Sequence, residues 1–213
     1  MPTNQTAPHD KEDPRGERLG HEARRAAVDD REAQARSVAW WERTRDDPAE
    51  LTRWLRAQHL GEITASARIL ALRDRFAAPG SEAARLLTII AGQEDRHGRW
   101  VGELLLSRGV APIAVAPGPR PGEERYWAQT LPGVTDLATG AAVGAHAEHM
   151  RLWRLVTIAA DPQAPADIRA VFGRIVPEER FHERAFRQLA SEEALAATAH
   201  DHQRGLLVLG LSA

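Results

Sequence analysis

Cysteine is absent from the 213 residues. That excludes disulfides, thiolate metal sites and iron–sulfur clusters. No apolar run is long enough to cross a membrane, and the polar stretch from Met1 to Glu42 lacks the apolar centre of a secretory signal. A cytoplasmic protein with no membrane partner is expected. Lysine is nearly missing, with Lys11 alone. Arginine carries the other positive charge and alanine is abundant, which marks a codon bias rather than a nucleic-acid surface. The formal net charge of −2 favours no polyanionic partner, so no nucleic-acid partner is expected.

What is present is helical pattern. Residues 1–33 mix charges, with almost no large apolar side chains, and read as a flexible charged tail. Residues 34–210 read as one helical bundle. A short helix from about residue 35 holds Trp40 and Trp41. Asp47 and Pro48 then form an N-cap and first-turn pair, with Glu50 at the capping-box position. The next helix spans about 48–77. Pro79-Gly80-Ser81 turns the chain into a helix over about 82–108. Four prolines within 109–123 make a long crossover, as a bundle needs when its second and third long helices run parallel. A few helical residues are expected around Tyr126-Trp127. Long helices follow over about 134–160 and 165–190, and Ser191 caps a final short one. Strand-type alternation is missing, so the fold class is all-α.

Two stretches repeat one motif. Glu94-Asp95-Arg96-His97 and Glu179-Arg180-Phe181-His182 are both Glu-x-x-His, 85 residues apart. Each follows a lone Glu on the preceding long helix: Glu62 by 32 residues and Glu148 by 31. Glu-x-x-His alone is weak, since 18 Glu and 9 His supply about 0.8 such pairs by chance. Position strengthens it. Both pairs sit inside apolar stripes, flanked by Ile90 and Val101 and by Ile175 and Phe186. An i,i+3 spacing puts both side chains on one helical face, as chelation of one ion requires. Unpaired carboxylates inside such stripes are costly, and two divalent cations would balance four of them. Buried salt bridges with Arg68, Arg96 or Arg180 are the alternative. Oxygen and nitrogen ligands without thiolate suit Fe, or else Mn or a mixed Fe/Mn pair.

These residues resemble the ferritin-like di-iron carboxylate superfamily: Glu62 in "HLGEITA", Glu94 and His97 in "QEDRHGRW", Glu148 in "GAHAEHM", and Glu179 and His182 in "PEERFHERAF". The last looks most like the rubrerythrin branch. The resemblance covers about 48–190. It implies a ferritin-like four-helix bundle holding two Fe ions, one imidazole per metal. Either Glu94 and Glu179 or Glu62 and Glu148 would bridge, and the other pair would be terminal. The superfamily usually has Asp just before each motif, bonded to the ligand His of the other half. Gln93 and Glu178 occupy those positions here.

His59, one turn before Glu62, reads as an outer proton donor or a hydrogen-bonded core histidine. Small residues before Glu148, among them Ala141, Gly144 and Ala145, read as either close helix packing or a substrate cavity. Pro177 removes a bond to the carbonyl of Gly173 and should kink its helix. The expected function is a non-haem di-iron oxidoreductase activating O2 or peroxide, with a hydroxylase acting on a small organic substrate foremost. An external electron donor is required, because no rubredoxin module can be built without cysteine. The alternatives are a ferroxidase or iron-storage protein of bacterioferritin type, and a rubrerythrin-like peroxidase. A bundle that keeps the six groups only as salt bridges is the non-enzymatic reading. A homodimer is expected from the surplus tryptophans and terminal helices.

Overall fold

The computed structural model describes residues 14–112 and 123–208, with side chains over 30–112 and 126–207. Seven α-helices follow in order among the described residues: α1 Pro14–Arg45, α2 Pro48–Phe76, α3 Glu82–Ser107, α4 Glu123–Thr130, α5 Leu137–Ala160, α6 Ala166–Leu189 and α7 Glu192–Val208. A 3₁₀ turn, Leu131–Gly133, links α4 to α5. The described residues contain no strand.

Local chemistry sets the helix ends. The Asp47 carboxylate accepts from the backbone N–H of Ala49 and Glu50, and Pro48 opens the first turn. Glu50 does not complete a capping box; its side chain pairs with Arg53 instead. Ser81 and Ser191 cap α3 and α7 through the N–H of Ala84 and Ala194. Asp136 and Thr139 cap each other reciprocally. α5 therefore starts at Leu137, three residues later than the sequence suggests. α6 continues through Pro177.

One expectation is corrected. α1 begins at Pro14, well before residue 35. Its early turns are rich in Ala, Arg and Glu, good helix formers that need no apolar stripe to hold a helix. The remainder of the expected tail, and most of the crossover, lie outside the described residues.

α2 packs on α3, α5 on α6 and α3 on α6, with α2 also touching α5. Two apolar clusters fill the bundle. The first holds Leu51, Leu55, Val101, Leu105, Leu155 and Phe172. The second holds Ala65, Ile69, Leu87, Ile90, Ala145 and Phe186. Along α2 and α6 the chain passes from first cluster to second, and along α3 and α5 from second to first. Hence α3 and α5 run the same way, and the connection between them must cross the length of the bundle. On all four helices the predicted Glu and His ligands fall between the clusters.

α1 docks on the first cluster. Trp41 and Trp54 lie edge to face, 6.4 Å apart, and Trp54 packs on Phe172 at 5.2 Å. The Trp41 indole N–H donates to Asp161 at 2.8 Å, and Arg45 donates to the same oxygen. α4 and α7 pair beside α5, where the buried Tyr126 hydroxyl meets His202 Nδ1 at 2.9 Å.

Candidate metal centre

The layer between the clusters holds Glu62 on α2, Glu94 and His97 on α3, Glu148 on α5, and Glu179 and His182 on α6. Glu148 is 4 % exposed and the other five are fully buried. They form two overlapping groups, Glu62/Glu94/His97/Glu179 and Glu94/Glu148/Glu179/His182. Within each, one ligand atom per residue lies within 4.8 Å of every other. Glu94 and Glu179 belong to both groups, whereas Glu62 and Glu148 each belong to one.

The imidazoles are oriented from behind. His97 Nε2 meets Glu178 Oε2 at 2.8 Å, and His182 Nε2 meets Gln93 Oε1 at 3.0 Å. Each partner comes from the opposite motif. Glu178 is also held by Arg96, at 2.9 Å to each oxygen. These bonds turn both Nδ1 atoms toward the carboxylates: His97 Nδ1 lies 3.3 Å from Glu179, and His182 Nδ1 lies 3.1 Å from Glu94.

The inward atoms have no hydrogen-bond partners. Both oxygens of Glu94 and Glu179, one each of Glu62 and Glu148, and both Nδ1 atoms are buried without one, which is eight atoms. Buried polar groups are almost always satisfied, so eight orphans facing one another mark a place built for cations. The donor set fits two divalent ions of the Fe or Mn kind.

Charge without metal is distributed unevenly. Burial raises Glu94 well above the carboxylate range, reinforced by Glu62, and raises Glu148 likewise, reinforced by Glu179. Burial opposes ionisation of Glu62 and Glu179 too, but Arg151 and the neighbouring histidines together outweigh it. The histidine contacts are His97 on Glu62 and both imidazoles on Glu179, and Glu62 falls to about 2. Burial disfavours the His97 cation, yet Glu179 and Glu62 raise it to about 11.

Two contributors escape sequence reasoning. The Arg151 guanidinium lies 2.8 Å from Glu62, at an angle that makes no hydrogen bond, and 3.9 Å from Glu179. It is a cation against the cluster, whereas Arg96 pairs with Glu178 and Arg180 is exposed. Gln58 donates to Glu62 Oε1. Both carried a signal: Arg151 is three residues after Glu148 and Gln58 is four before Glu62, each on its ligand's own face.

A family model, Rubrerythrin, matches residues 55–190. The chain belongs to the rubrerythrin family. Comparison with curated proteins and with solved structures finds no match. The rubrerythrin family is a di-iron family of ferritin-like bundles, in keeping with the eight inward donor atoms. Among the described residues no helix is long and apolar enough to cross a membrane.

A cavity of about 310 Å³ opens beside this rubrerythrin-type site. Glu148 and Arg151 form part of its wall, with Gly144, Val143, Leu72 and Phe186. Gly144 lines it and also packs closely on Phe186. Ala141 and Ala145 are not; both are fully buried in the second cluster. The cavity follows a different stripe of α5, through Gly140, Val143, Gly144, Ala147 and Arg151. His59 is buried one turn from Glu62, its ring against Gly102 of α3.

Proposed function

We propose that the protein is a non-haem di-iron oxidoreductase that activates O2 or peroxide and oxidises a small organic substrate. One observation carries this reading: an apolar cavity is walled by the candidate ligand Glu148 and by Arg151, which lies against the ligand cluster. A reduced di-iron pair supplies electrons to O2 or peroxide. Everything else falls to the protein. Glu62, Glu94, His97 and Glu179 would hold one ion and Glu94, Glu148, Glu179 and His182 the other, with Glu94 and Glu179 serving both. Glu178 and Gln93 hold the imidazoles by their outer nitrogens, fixing which nitrogen faces the metal. The two apolar clusters keep bulk water out of the layer, so charges there act at low dielectric. The cavity offers a molecule a place against the Glu148 side of the site.

In hydroxylation one oxygen atom enters a C–H bond and the other leaves as water. An external donor supplies the pair of electrons that balances this. Anaerobically reduced, iron-loaded protein mixed with O2 tests the reading. Uptake of O2 within seconds, with the iron oxidised, is expected. Stable ferrous protein in air would refute it. Family membership favours a second reading, a peroxidase, which faster oxidation by peroxide than by O2 would select. The site and the cavity lie within a single chain and supply no argument for a storage cage.

A further inference from the structure

We propose that the cavity binds a small monoanion, a carboxylate on an apolar or aromatic body, and that Arg151 holds its carboxylate. What then happens to the bound molecule rests on the oxygen-activating reading above; the binding itself does not.

The cavity's walls are largely apolar, from Ile69, Leu72, Val143 and Phe186. Its charged side chains are Glu148 and three arginines, Arg68, Arg75 and Arg151. Two of the arginines lie over aromatic rings: Arg68 over Trp127 at 4.3 Å and Arg75 over Phe76 at 4.8 Å. Arg151 is different. It reaches the cluster and still keeps 19 % of its side chain exposed.

Charge balance decides what Arg151 needs. Four ligand carboxylates carry −4, and two divalent ions bring them to zero. The Arg151 cation is then left over. A sheltered guanidinium without a counter-charge is unfavourable, and the open way to it is the cavity. Its terminal nitrogen already lacks a well-aligned acceptor, despite lying 2.8 Å from Glu62. An entering carboxylate supplies both the missing charge and the missing acceptors, and a guanidinium fork matches one carboxylate. The cavity's volume of about 310 Å³ lies at the small end of ligand pockets. Arg151 and Glu148 are one turn apart on α5, so the body of an anchored molecule lies beside a candidate metal ligand.

The test uses full-length protein loaded with zinc, which binds the same donors without redox chemistry, and metal content is measured on every sample. Benzoate, benzamide and inorganic phosphate are titrated by calorimetry. Benzoate should bind at least about tenfold more tightly than benzamide, the worth of one charged hydrogen bond. Phosphate should not displace it. Arg151→Gln should remove the preference for benzoate and Arg151→Lys should restore part of it. Equal binding of benzoate and benzamide, or no binding of either, by wild-type protein carrying two zinc ions would overturn the proposal. So would displacement by phosphate, or an undiminished preference in Arg151→Gln. The wild-type comparison stands even if a variant fails to fold. Because the titration involves neither iron nor oxygen, its failure is distinct from failure of the oxygen-activating reading.

Discussion

Loading the centre at neutral pH should release about three protons per chain. The number follows from charge in the metal-free cluster. Glu62 and Glu179 are ionised, giving −2, and His97 and Arg151 are cationic, giving +2. The cluster balances itself because Glu94 and Glu148, both pushed well above the carboxylate range, keep their protons. Metal ligands must be deprotonated, so Glu94, Glu148 and His97 each lose one when two divalent ions enter. Arg151 keeps its own. The sign is fixed: apparent affinity rises with pH, because binding and proton loss are coupled. Anaerobic titration with Mn(II), by calorimetry in two buffers of different ionisation enthalpy, reads the number directly. Release of fewer than about one proton at full loading would show that the carboxylates were already ionised, and the charge balance argued here would be wrong.

Glu178→Ala removes the acceptor behind His97 and should weaken metal binding by roughly 10–100-fold, the usual effect of losing such a support. A competition titration with a chelator measures it. Asp161→Ala leaves the buried Trp41 indole N–H without its acceptor and should cost about 1–3 kcal/mol in urea unfolding. Gly144→Ala places a methyl 2.7 Å from the ring of the buried Phe186, which must shift to admit it, and should cost about 1–3 kcal/mol by the same measurement.

Much of this was legible in the sequence because the signals were local. Asp47, Pro48, Ser81 and Ser191 fix helix ends through bonds to their own next turn. The six inward residues stood out because each interrupts an apolar stripe at helical spacing. Their convergence needed the parallel run of α3 and α5 that the long crossover implies. The hidden parts depend on length, angle or propensity. Arg151 shares the face of Glu148, but spacing does not tell whether a long side chain turns to solvent or reaches inward. The cavity stripe of α5 is offset by a residue or so from the ligand stripe, and small side chains do not tell the two apart. The early turns of α1 carry no apolar period, so helix propensity alone marked them.

Metal content per chain is the most direct test of the dinuclear centre. It is measured by elemental analysis on protein expressed with added iron, for wild type and for a His97→Ala, His182→Ala variant whose helicity is checked by circular dichroism. About two Fe or Mn per wild-type chain, lost in the folded variant, is the expected result. Fewer than about half an ion per chain, unchanged by the substitutions, would contradict the centre and leave eight buried donor atoms without a purpose.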